Sequence, residues 1–114
     1  MPRIYGLKNC DTCKKAVKSL RAAGVAHDFI DIRAEADLAD RVPVWLSAVG
    51  GKALINTRST TWRGLDETQR LRADSDPAGL LIETPTLIKR PVIETADAVT
   101  VGWSQDVLNG LTSD

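Results

Sequence analysis

Two cysteines stand three residues apart in the run Asn9-Cys10-Asp11-Thr12-Cys13-Lys14-Lys15. A thiol is nearly inert as a nucleophile; the thiolate attacks. The run lies where a short β-prone segment, Arg3 to Gly6, gives way to helical spacing from Thr12. Backbone N–H groups at a helix start point outward and favour an anion there. Lys8, Lys14 and Lys15 add positive charge close by in the chain. Such surroundings take a cysteine pKa from about 8.5 toward roughly 3.5–7.5, so Cys10 is expected to be the attacking sulfur. Cys13, one helical turn on, is spaced to attack a mixed disulfide on Cys10 and leave an internal disulfide behind. It also falls on the apolar face of its helix, where a free cysteine is often a small buried hydrophobe. Both readings of Cys13 stay open. A zinc site is a poor alternative, because one C-x-x-C supplies two ligands and the single histidine, His27, reads as a strand-edge residue.

The elements that must position these thiols follow from periodicity. Cys13, Ala16, Val17, Leu20 and Ala23 share one helical face, and Gly24 is a natural stop. His27 to Ile32 reads as a second strand, with Ile30 and Ile32 on one face. Strand, helix, strand of these lengths suits a right-handed crossover between parallel strands. A second helix is expected over Leu38 to Val49 despite Pro43, ended by Gly50-Gly51. Lys52 to Ile82 is less regular. It reads as a polar loop from Asn56 to Arg63, then weak helical patches near Asp66–Arg72 and Asp76–Ile82. Leu80, Leu81 and Ile82 are expected in the core. Val92 to Glu94 and Ala98 to Val101 read as paired strands across a turn at Thr95–Asp97, and Ser104 as the cap of a last helix through Leu111. The expectation is an α/β fold: one sheet with flanking helices, in a single domain over residues 1–114, with a helical insert over approximately 38–82.

The bulk composition excludes several classes. The chain has 114 residues, with 43% hydrophobic and 26% charged residues, as in an ordinary globular protein with its own core. Lys plus Arg equals Asp plus Glu at 15 each, so nothing favours direct nucleic-acid or anionic-membrane binding. No signal-peptide pattern opens the chain and no apolar run reaches spanning length, so the expected address is the cytoplasm. Structural disulfides are rare there, and the two cysteines call for another explanation. Trp45, Trp62 and Trp103 are expected to be packing anchors, although Trp62 lies in the loop expected near the site and could shield it.

Four motifs in order carry a resemblance: Tyr5-Gly-Leu-Lys-Asn-Cys-Asp-Thr-Cys-Lys-Lys, Asn56-Thr-Arg-Ser-Thr-Thr-Trp-Arg, Leu87-Ile-Lys-Arg-Pro-Val-Ile and Val101-Gly-Trp. Together they span nearly the whole chain. The sequence resembles the arsenate reductase (ArsC)/Spx family, and within it the YffB-like branch. The resemblance implies a thioredoxin-like mixed sheet with a helical insert and one working cysteine at Cys10. It carries over Arg58 in the insert loop and Arg90 before Pro91, the latter implied to be a cis-proline facing Cys10. Arginine forks bind oxyanions and carboxylates and would lower the pKa of a neighbouring thiol. Arg63 is a further candidate for a glutathione carboxylate, with a plain surface role as the alternative.

What the resemblance implies for function is a thiol reductase with glutathione as co-substrate and no bound cofactor or metal. In this reading Cys10 attacks, glutathione or Cys13 resolves, Arg58 and Arg90 hold the anion, and Lys8, Asn9, Thr12, Arg63 and Pro91 line the binding site. Glutaredoxin or an oxidised protein would be the partner of a monomer. One alternative is an arsenate reductase; those enzymes have a third arginine before the last helix, where this chain has Trp103. The other is an Spx-like redox sensor that binds RNA polymerase. Those regulators usually carry a longer tail, whereas this chain stops soon after its last helix.

Overall fold

The computed structural model describes residues 1–112. The chain divides into two compact units: Met1–Ala36 together with the chain from Arg90 on, and Asp37–Lys89.

In the first unit, β1 (Arg3–Gly6) pairs in parallel with β2 (Asp28–Asp31). β1 also pairs antiparallel with β3 (Val92–Glu94), and β3 with β4 (Val99–Val101). The strand order β2-β1-β3-β4 is the thioredoxin-like arrangement implied by the sequence. The register opposes Ile4 to Ile93 and Arg3 to Glu94. Alternation along the strands then sends Ile4 and Ile93 to one face and Arg3, Tyr5 and Glu94 to the other. On the first face Ile4, Leu20 and Ile93 form a buried cluster against Val25, Phe29, Trp103, Val107, Leu108 and Leu111. On the second, Tyr5 Oη donates to buried Glu94 Oε1 at 3.3 Å, and Arg3 stands 4.0 Å away. A buried carboxylate needs such partners to offset its lost hydration.

α1 (Asp11–Ala22) crosses between the parallel strands. It buries Cys13, Ala16 and Leu20. Ala23, expected on the same face, is exposed, because the helix has already ended: Ala23 is its C-cap. Val25 N–H donates to Leu20 O at 2.9 Å and Gly24 N–H to Arg21 O at 3.1 Å. This Schellman closure puts Gly24 at φ 73°, a left-handed conformation that costs glycine little. β2 is shorter than the expected His27–Ile32 run. Asp31 Oδ1 accepts from the N–H groups of Arg33 and Ala34 at 2.8 and 2.9 Å and turns the chain away. α7 (Gln105–Thr112) is capped by Ser104, whose Oγ accepts from Val107 N–H at 3.2 Å.

The second unit is helical. α2 (Leu38–Val49) runs through Pro43, which removes one N–H from the ladder without ending it. α3 (Gly51–Leu54) follows directly. The expected polar loop contains a short helix, α4 (Thr60–Arg63), started by Ser59 Oγ, which accepts from Trp62 N–H at 3.1 Å. Four residues are too few to show a helical period, so only the Ser59 cap signalled it. α5 (Glu67–Ser75) opens on a capping box between Asp66 and Gln69, and α6 (Pro77–Glu83) on Asp76 with Pro77 in the first turn. Arg72 of α5 is ion-paired with Asp76 and Glu83. Trp45 is fully buried, as are Leu80 and Leu81; Ile82 is half-buried. Among the described residues no helix is long and apolar enough to cross a membrane.

Candidate active site

β1 ends at Gly6, and the chain turns through Leu7 to Asn9 before α1 begins. Cys10 N–H donates to Leu7 O at 3.1 Å, and Cys10 O accepts the first helical bond from Lys14 N–H at 2.9 Å. Cys10 is therefore the N-cap of α1, with extended backbone (φ −84°, ψ 123°). Its neutral thiol makes no capping hydrogen bond. Burial pushes its pKa up, but this is outweighed by stabilisation of the thiolate. The Cys13 N–H, the Cys13 thiol and the Arg90 guanidinium together hold Cys10 below its ordinary value. The lysines expected to supply this charge are not among the causes; Arg90 supplies it.

Cys13 has the opposite surroundings. It is 1% exposed, and burial pushes its pKa up to about 11, with the Leu7 backbone opposing and Cys10 adding to the rise. Its sulfur sits on Gly6: a Cβ on that glycine would lie 2.5 Å from Cys13 Sγ. The bare glycine backbone is what leaves room for the second thiol. Cys13 is thus a hydrogen-bond donor to Cys10 in the reduced protein and remains protonated near neutrality.

Cys10 opens on a cavity of about 510 Å³ lined by Leu7, Lys8 and Asn9 of the β1–α1 turn, by Asp31, Arg33 and Ala34 after β2, and by Arg90. Three cations face one carboxylate there. The Asp31 carboxyl is held below its usual range by the Ala34 and Arg33 N–H groups, with Arg33 and Lys8 assisting. Asp31 and Arg33 were missed in the sequence reading. A usable signal existed: in a β-α-β unit, binding groups gather beyond the carboxyl ends of parallel strands, and Asp31-Ile-Arg33 ends β2.

The remaining candidates are placed as follows. Lys8 and Asn9 are exposed and line the cavity. Thr12 is half-buried in the first turn of α1 and does not line it. The Arg90–Pro91 peptide is cis, and buried Pro91 accepts from Gly102 N–H through its carbonyl at 2.9 Å. Arg58 and Arg63 belong to the second unit, where both are exposed. Arg58 N–H donates to Asn56 Oδ1 at 3.1 Å. Arg63 closes α4, and its carbonyl accepts from Arg70 Nη2 at 3.1 Å. The Arg70 guanidinium lies 5.9 Å from the centre of the Trp62 ring, a cation–π contact. Trp103 packs on the Ile4–Leu20–Ile93 cluster. His27 is half-buried, with Nδ1 3.0 Å from Val25 O.

A thioredoxin-like sheet with a cysteine pair at the mouth of its first helix defines the class. The ArsC family model matches residues 5–111, and the chain belongs to the ArsC family. It is 39% identical over 106 residues to an uncharacterised protein of Haemophilus influenzae, covering 92% of this chain and 93% of that one. Among solved structures it is similar to the YFFB (PA3664) protein, at 34% identity and TM-score 0.90 over 99% of this chain and 100% of the other. An arsenate reductase (ArsC) related protein from Brucella melitensis matches at 32% identity and TM-score 0.77, covering 99% of this chain and 95% of that one.

Proposed function

We propose that this protein is a glutathione-dependent thiol reductase acting through Cys10. The observation that supports it most is the pairing of a thiolate-favouring sulfur with a cavity of about 510 Å³ rimmed by Lys8, Arg33 and Arg90. In the first step the Cys10 thiolate attacks the glutathione sulfur of a mixed disulfide. A Cys10–glutathione disulfide forms, the old S–S bond breaks, and the substrate leaves as a thiolate that takes a proton from water. In the second step a second glutathione thiolate attacks the bound glutathione sulfur. Oxidised glutathione departs and the Cys10 thiolate is restored. The cationic rim would hold glutathione carboxylates. Cys13 is less suited to resolve than glutathione, since its burial disfavours the thiolate and shields the sulfur, whereas glutathione is free to approach.

The test is consumption of a glutathione mixed disulfide, followed by coupling oxidised glutathione to its NADPH-dependent reductase. Turnover that needs both glutathione and Cys10 is expected. A rate equal to that of glutathione alone would sink the reading. Arsenate is the rival substrate for the same thiolate. Trp103 is packed on the core where an oxyanion-binding arginine would be needed, so arsenite formation with glutathione and glutaredoxin is expected to stay at background. Arsenite above background would replace the leading proposal.

A further inference from the structure

A second cavity of about 590 Å³ lies beside α1, separate from the Cys10 cavity but sharing Leu7 and Lys8 with it. Leu7, Val17 and Phe29 give it apolar lining; Lys8, Lys14, Lys18 and Arg21 give it four basic side chains. No carboxylate is among its lining residues. In a chain with as many acids as bases, that is a concentration of one sign. Lys14, Lys18 and Arg21 fall at i, i+4 and i+7, a single stripe along α1 that spans roughly 10 Å. The stripe has no counterpart in the Cys10 chemistry described above.

We infer that this groove docks an acidic polypeptide segment of the protein whose thiol is being released. The inference rests on the reductase reading and names its substrate class. The cations are strung along a line, whereas a phosphate site gathers donors around one point. Three of the four are lysines, point charges without the planar fork that selects phosphate geometry. An extended peptide rises about 3.3 Å per residue, so alternate acidic side chains on a short segment match the stripe, and the residue between them meets Val17 and Phe29. The shared wall at Leu7 and Lys8 accounts for the order of events. With glutathione in the Cys10 cavity, the departing protein thiolate sits next to Lys8, and its flanking chain enters the neighbouring groove.

The experiment uses a fluorescent hexapeptide of glutamates around one leucine, a twin with every glutamate replaced by glutamine, and the intact protein. Anisotropy titrations at low salt should show the acidic peptide binding at least about tenfold more tightly than the neutral twin, with the difference fading at high salt. Lys18→Glu with Arg21→Glu should remove most of that preference. Both residues are exposed on α1 and away from Cys10, so a small neutral disulfide should be reduced at the parental rate. Lys18→Gln with Arg21→Gln, a milder pair, should give an intermediate loss and guards against misfolding. Equal binding of the two peptides, or indifference to both double variants, overturns the inference. So does tighter binding of a single-stranded oligonucleotide of the same charge. Versions of the two peptides extended by one cysteine, glutathionylated at that cysteine, separate the two readings. Binding that follows charge with no reduction leaves the groove and removes the reductase; reduction blind to peptide charge and to the variants does the reverse.

Discussion

The mouth of α1 and its buried face carry the same side chain and treat it in opposite ways. At the mouth, Cys10 is an N-cap with the Cys13 N–H ahead of it and Arg90 beside it, and its thiolate is favoured. One turn on, Cys13 rests on Gly6 inside the core, and its thiol is held protonated. Reactivity here is a property of position relative to the helix and the sheet, since the chemistry of the two side chains is identical. The pair is also linked: the Cys13 thiol stabilises the Cys10 thiolate. That gives the buried cysteine a use short of resolving a disulfide.

The comparison breaks most sharply at Cys10 itself. Cys10→Ser should reduce turnover of glutathione mixed disulfides to the uncatalysed rate in the coupled assay, while the fold survives. Retained turnover would falsify the assignment of the reactive atom. Gly6→Ala comes next, because its methyl would require Cys13 Sγ to move from 2.5 Å. A stability loss of about 1–3 kcal/mol in urea unfolding is expected for overpacking at this site. An unchanged midpoint would mean that the helix slides freely over β1.

Arg90→Gln sharpens the electrostatic half of the contrast. Removing the cation disfavours the thiolate, so the Cys10 pKa should rise, read from alkylation rate against pH. At pH 7 the thiolate fraction then falls, and the rate falls by less than the fraction does, because the more basic sulfur is intrinsically more nucleophilic. In the parent protein the alkylation rate should rise with pH as Cys10 ionises and level off below the ordinary cysteine range, with no contribution from sealed Cys13. The smallest effect is expected for Cys13→Ser, which keeps a donor in place: glutathione-driven turnover should change by less than about threefold, compatible with the loss of one hydrogen bond's fine tuning. A collapse of turnover in that variant would restore Cys13 as the resolving thiol.

Much of this molecule was legible from local pattern. Apolar spacing and capping residues marked β1, α1, α2, β3 and α7, since each element's own sequence carries its period or its start signal. Leu38 to Val49 was readable as a helix even through Pro43, because the periodicity outlasts one missing hydrogen bond. The cysteine at the helix mouth was legible for the same reason: a helix N-terminus lies next to its own cap in the chain. What the chain alone did not reveal depends on distant segments meeting. That Arg90, eighty residues away, rather than the nearby lysines sets the charge at Cys10 follows from β3 pairing with β1. That Asp31 and Arg33 reach the same cavity follows from the parallel register of β1 and β2. That Cys13 is sealed follows from the glycine opposite it. Sequence by itself determined which atoms were capable of the chemistry; tertiary structure decided which sulfur is favoured as an anion, because desolvation and Coulomb interactions depend on distance in space and not along the chain.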